Sequence, residues 1–225
     1  MGIFSIIGNG YPFQEVVIML LAWVIAIMVA LVAHEYMHAY TAHKCGDDTA
    51  KMAGRLTLNP AKHFELSGFL CMLLIGFGWA KGVPVNDNNF RDVKKGRIWV
   101  SLSGVLMNLF LGVVFIILTV LLLHYFATTD VLILRFVIYL CMYLGSINIV
   151  LGIFNLLPIY PLDGYNFVSA YLRYDNKYCQ FMRQYGAMIL FGILIVSAFI
   201  PEFGLGQLFG MVYDLLYNAF NSLFF

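Results

Sequence analysis

Eighteen consecutive residues, Val16 to Ala33, lack any charged, hydroxyl or amide side chain and lead straight into HEYMH at positions 34–38. A run of that length is close to the ~20 apolar residues a helix needs to cross a bilayer, so it predicts a first membrane helix from about Glu15 to about Ala42. At ~1.5 Å per residue this helix is roughly 40 Å long, exceeds a ~30 Å hydrocarbon core and carries HEYMH in its last third. The run is too long for the ~7–15-residue apolar region of a signal peptide and no Lys or Arg precedes it, so a retained helix is expected.

The polar stretch that follows contains GRLTL (Gly54–Leu58), an alternating pattern between a glycine and an Asn-Pro turn, which predicts a short strand. A second short strand is expected at Gly82–Val85. Between them, Leu66–Ala80 is apolar but short and broken by Gly68, Gly76 and Gly78, with Lys51, Arg55 and Lys62 on one flank and Lys81, Arg91, Lys94, Lys95 and Arg97 on the other. Two basic flanks belong on the same side of a membrane, so this segment is expected to re-enter without crossing.

Ile98–Tyr125 and Val131–Leu157 are full-length apolar spans joined by the turn ATTD. The second span stops at the prolines of NLLPIYPLDG. A loop with Arg173, Lys177 and Arg183 precedes two final apolar segments, about Tyr185–Ile200 and Leu205–Phe225. The pattern predicts an all-α polytopic membrane protein: about five transmembrane helices, a partial span and short membrane-associated strands beside the site. It forms one domain over 1–225, with a core at about 15–165 and accessory helices at about 184–225.

Composition agrees, at 62% hydrophobic and 11% charged residues. The formal net charge of +1 argues against a nucleic-acid partner, which requires clustered Lys and Arg. Cys45, Cys71, Cys141 and Cys179 show no CxxC spacing and read as packing residues.

On a helix, His34 and His38 are one turn apart on one face and able to share a metal ion, with Glu35 beside them. In H-E-x-x-H sites the metal is zinc and the glutamate moves the proton of the attacking water, so carbonyl hydrolysis is the expected reaction. Ionisable groups at membrane depth are costly and mark function. A third ligand is needed: Glu65 and His63 are candidates, but Asp163 is preferred, because PIYPLDG ends a span near the same face and a carboxylate there needs a partner. The competing reading of Asp163-Gly164 is an ordinary turn. His43, His63 and His124 otherwise read as polar surface or interfacial residues. The stripe Ser101, Gly104, Asn108, Gly112 reads as close helix packing, Asn108 apart.

HEYMH, GRLTLNP, GFGWAKGVPVN, SGVLMN and FNLLPIYPLDG, in this order, resemble the site-2 protease family of intramembrane zinc metalloproteases, the M50 peptidases. The likeness covers most of Ala33–Gly164 and is closest to small bacterial members without PDZ or CBS domains. Val105 and Gly82 stand where the family usually has proline, departures that touch backbone stiffness and no ligand.

The resemblance implies Zn2+ on His34, His38 and Asp163, Glu35 as catalytic acid/base, and Asn108 as a catalytic amide hydrogen-bonding the substrate backbone or developing oxyanion. It also implies a transmembrane protein or peptide as substrate and a bacterial plasma-membrane location, while the basic loops, set against the nearly uncharged ATTD turn, place the site toward the cytoplasm. The strand-like pieces are expected to pair with an unwound substrate. The rival readings are a transporter or ion-handling protein using buried His and Asp, and a proteolytically silent zinc-binding scaffold.

Overall fold

A computed structural model describes residues 10–75, 78, 80–173, 175–199 and 205–224. The long apolar runs fold as α1 (Phe13–Cys45), α5 (Val93–Phe126) and α6 (Leu132–Asn155). The short helices α2 (Thr49–Met52), α3 (Pro60–His63) and α4 (Leu66–Ile75) fill the connector between α1 and α5, and α7 (Asp163–Ser169), α8 (Lys177–Phe199) and α9 (Leu205–Phe224) complete the described chain. Four of these helices, α1, α5, α6 and α8, are long and apolar enough to cross a membrane. The final segment departs from the five-span expectation: α9 is helical but does not reach that apolarity, because Gln207, Asp214, Asn218 and Asn221 recur along it.

The helices outrun the apolar runs that nucleate them. α1 continues through HEYMH to Cys45 and ends where Gly46 takes a left-handed φ of 112° and its N–H closes on the last turn. α5 begins five residues before its apolar run, where Asp92 accepts a hydrogen bond from the Lys95 N–H and satisfies a free amide of the first turn.

Antiparallel α5 and α6 pack closely because small residues remove the Cβ at each crossing. A Cβ on Gly112 would lie 2.6 Å from Ile149, and one on Gly152 2.8 Å from Leu109. Between lipid-embedded helices such close backbone approach replaces hydrophobic burial as the source of association. α1 lies parallel to α6, with Met19, Trp23 and Ile27 against Tyr143 and Leu144. At the end of the bundle far from HEYMH, Glu15 is buried and takes both the Arg135 guanidinium and the Tyr139 hydroxyl.

The two expected strands do not form, and the described residues contain no strand. Around Gly54–Leu58 the amides go to turns: Arg55 N–H reaches Ala50 O at 2.8 Å, and Asn59 N–H reaches Thr57 Oγ1. Across Gly82–Val85 the extended chain donates to a side chain instead of a neighbour, with Val83 N–H on Glu35 Oε2 at 2.9 Å. A period-two pattern with no partner strand leaves an extended connector.

That connector is pinned at both ends. Lys81 N–H bonds His63 O at 3.0 Å, and Asn86 N–H bonds the fully buried Asp47 carboxylate at 2.7 Å. Asp47 also accepts from Asn89 Nδ2 and from the Thr49 amide and hydroxyl. The strap 81–86 is thereby held across α1 at the level of Glu35. Of the predicted partial span, Leu66–Ile75 is a ten-residue helix, about 15 Å at ~1.5 Å per residue, while residues 76, 77 and 79 lie outside the described residues.

Candidate metal centre

His34 and His38 sit one turn apart on α1, both buried. Helix α6 ends at Asn155, just before the prolines, and α7 starts at Asp163, with Leu162 extended before it. Gly164 makes this possible: a Cβ there would stand 2.2 Å from Leu156 O, so no side chain fits between the new helix and the end of α6.

Three atoms from these two regions converge. His34 Nε2 and His38 Nε2 are 2.9 Å apart, and Asp163 Oδ2 is 3.1 Å from each. No other group of three His, Cys, Asp or Glu side chains among the described residues is placed to hold a metal ion. The triangle is slightly tighter than the ~3.3 Å ligand-to-ligand edge of a tetrahedral zinc with bonds of ~2.0–2.1 Å.

The far sides of the imidazoles fix which atoms face inward. His38 Nδ1 donates to Val100 O at 2.7 Å, and His34 Nδ1 donates to Asn108 Oδ1 at 2.6 Å. With both Nδ1 atoms carrying protons, both Nε2 atoms present bare lone pairs to each other and to Asp163 Oδ2, a buried oxygen that no hydrogen bond satisfies. Three converging acceptors repel one another unless a cation lies among them, so the donor set fits zinc.

α5 is the backing for both imidazoles. Gly104 lies flat against them, since a Cβ there would be 2.6 Å from His38 Nε2 and 2.7 Å from His34. Val100 and Asn108 flank it one turn to either side. Gly104, expected to serve helix packing alone, therefore touches the ligands themselves.

Glu35 is half-buried beside the triangle, with Oε2 held by Val83. A cavity of about 450 Å³ opens over these groups, walled also by Gly82, Arg97, Ser101, Asn155 and Asn166. Arg97 crosses its rim, pairing with Asp87 at 3.1 Å and donating to Ser169 Oγ at 2.9 Å. Neither Arg97 nor Asn166 stands out in the sequence, because what distinguishes them is where the loops meet.

Three sequence candidates lie elsewhere or act otherwise. His63 is buried rather than interfacial, and its Nε2 donates to Thr57 O at 2.8 Å. Glu65 is exposed and accepts from Ser67. Asn108 is fully buried, with every polar atom engaged: Oδ1 by His34, and Nδ2 by Ala30 O at 3.1 Å and Asn148 Oδ1 at 2.7 Å. Asn108 thus lies behind His34 and is not among the residues that line the cavity. The cysteines form no disulfide.

Fold and donor set together define an integral membrane protein of apolar helices with a buried ligand triangle of metal-site type. The profile of Peptidase family M50 matches residues 127–197, the region carrying α6, Asp163 and most of α8. Over 151 residues the chain is 42% identical to "Putative zinc metalloprotease YwhC" of Bacillus subtilis (strain 168), covering 65% of this chain and 67% of that protein. It is 31% identical over 195 residues to "Putative zinc metalloprotease Rip2" of Mycobacterium tuberculosis (strain ATCC 25618 / H37Rv), covering 84% and 70%. No solved structure gives a significant match. The chain belongs to the M50 peptidases, the site-2 protease family, and is a zinc-dependent metalloprotease.

Proposed function

We propose that this protein is an intramembrane endopeptidase that hydrolyses peptide bonds within or near transmembrane segments of other membrane proteins. The observation that carries the reading is the convergence of His34 Nε2, His38 Nε2 and Asp163 Oδ2 beside Glu35, on helices long enough to span a bilayer. His34, His38 and Asp163 hold the zinc. When bound, the metal polarises the scissile carbonyl and lowers the pKa of the attacking water toward neutrality.

Everything else falls to the chain's own groups. The Val83 amide fixes Glu35 Oε2, leaving Oε1 to take the water's proton and deliver it to the departing amine. Asn108 is a positioning residue that orients His34. The cavity is open and polar enough to admit water at the depth of HEYMH, where an unwound stretch of substrate meets the site.

Of the 13 Lys and Arg, every one except Arg135 lies toward the HEYMH end of the bundle, so that end faces the cytoplasm of a bacterial plasma membrane. By the same rule α4 (Leu66–Ile75), which lies between basic flanks, enters the membrane without crossing it. Residues 1–225 act as one membrane-embedded protease domain.

The test is cleavage of a transmembrane reporter by purified protein, comparing wild type with Glu35→Gln, alongside zinc quantification. Glu35→Gln keeps zinc and loses turnover by ~10²–10⁴-fold, the range of a general base. A zinc-loaded protein whose cleavage does not depend on Glu35 refutes the protease mechanism. Metal or proton flux in liposomes that persists in Glu35→Gln identifies a transporter instead.

A further inference from the structure

Asn148 lies on α6, fully buried, and touches neither the cavity nor a metal ligand. Its Nδ2 donates to Leu144 O at 2.8 Å, which turns its Oδ1 toward Asn108 Nδ2 at 2.7 Å. Asn108 Nδ2 also donates to Ala30 O at 3.1 Å, so both its N–H groups are consumed and its Oδ1 is left for His34 Nδ1. Helices α6, α5 and α1 are thus joined by a chain of amides that ends on an imidazole.

The direction of this chain has a cause. Reversing the Asn108 amide sets its oxygen against Ala30 O and Asn148 Oδ1, two acceptors, and turns its N–H₂ toward His34 Nδ1. Nδ1 is then the acceptor and the ring proton moves to Nε2, the atom that faces His38 and Asp163. Reversing both amides together keeps the contact between them but sets Asn148 Oδ1 against Leu144 O and Asn108 Oδ1 against Ala30 O. Two backbone carbonyls, each fixed in a helix, therefore decide the polarity, and an unsatisfied or opposed buried polar pair is costly.

We infer that Asn148 is a positioning residue of the metal centre: through Asn108 it holds His34 in the tautomer whose Nε2 is free to bind zinc. The inference rests on His34 being a zinc ligand and adds a residue 114 positions away from it (148 − 34). Outer-shell partners of metal-binding histidines matter by ~10–100-fold in metal affinity, which sets the scale.

The experiment is zinc affinity of detergent-purified protein, measured by chelator competition at fixed pH, for wild type, Asn148→Leu, Asn108→Leu and the double variant. Where Asn148→Leu does not fold, Asn148→Ser replaces it: its hydroxyl bonds Leu144 O, one turn back, and is too short for Asn108. Asn148 variants bind zinc roughly tenfold more weakly, Asn108→Leu at least as weakly, and the double variant no worse than Asn108→Leu. The ¹⁵N shifts of His34 in metal-free protein report an Nδ1–H ring in wild type and a tautomer mixture in the Asn148 variant. Wild-type affinity in the Asn148 variants, or losses that add in the double variant, overturn the relay while leaving the zinc site intact. A wild type that binds no zinc, or binds it unchanged in His34→Ala, removes the zinc reading and the relay together.

Discussion

Gly104 and His38 are packed so closely that a single methyl group does not fit between them: a Cβ on Gly104 would stand 2.6 Å from His38 Nε2. Gly104→Ala therefore displaces a ligand without removing one. Overpacking of this kind costs ~1–3 kcal/mol, and here the strain falls on two imidazoles. The variant is expected to keep its helical circular dichroism while its bound zinc falls well below one per chain and its cleavage falls in proportion.

Glu35 and Val83 give a second prediction. Among the described residues, the Val83 N–H is the one hydrogen-bond donor to Glu35. Val83→Pro removes that donor and no metal ligand. Turnover is expected to drop ~10-fold or more with zinc content unchanged, the opposite split from Gly104→Ala. A proportional loss of zinc would show that the strap supports the metal site as a whole.

Asp47 anchors the same strap, and its protonation has a definite sign. Burial works to raise its carboxyl, but the Asn86 amide with the Thr49 and Asn89 donors outweighs this and holds it below the usual carboxylate range. A lowered folded-state pKa contributes stability that is present above the unfolded value of ~3.9 and is lost as pH falls through the folded one. Wild type is expected to lose thermal stability in detergent below about pH 4, and Asp47→Asn to lose less over that window. At pH 7, Asp47→Ala is less stable than wild type by ~2–3 kcal/mol, the scale of hydrogen bonds to a buried charge.

At the opposite end of the bundle, Glu15 and Arg135 tie α1 to α6. Glu15→Ala leaves the arginine with Tyr139 alone and is expected to lower stability by about 1–2 kcal/mol, reduced from the fully buried case because Arg135 is partly exposed. The double variant Glu15→Leu with Arg135→Leu recovers most of that loss, since no charge is then left without its partner. Zinc affinity stays at the wild-type value in both. Thermal melts in one detergent decide it.

The spans and HEYMH were legible because each is written in contiguous residues with a period the helix imposes. Asp163 was legible from a different signal, a proline-broken span that delivers a carboxylate to the face where HEYMH lies. What the sequence misled on was local pattern without a partner: GRLTL alternates like a strand, yet the described residues offer it no partner strand and the Gly54 and Arg55 amides close turns. Asn108 shows the other limit. Its residue type and depth announced a polar role, but its bond to a ring 74 residues away depends on how α5 is turned against α1, which no local pattern encodes. The same holds for Asn148 and Arg97.

Val100, Gly104 and Asn108 meet His38, both rings and His34 in turn, along a single stripe of α5. At ~3.6 residues per turn, positions four apart drift by only ~40°, so three contacts two turns long leave the helix almost no angular freedom. The azimuth of α5 is therefore a coordinate of the metal site. A twist of α5 about its own axis withdraws the carbonyl, the flat glycine face and the amide at once, so any motion that admits a substrate has to leave that angle unchanged.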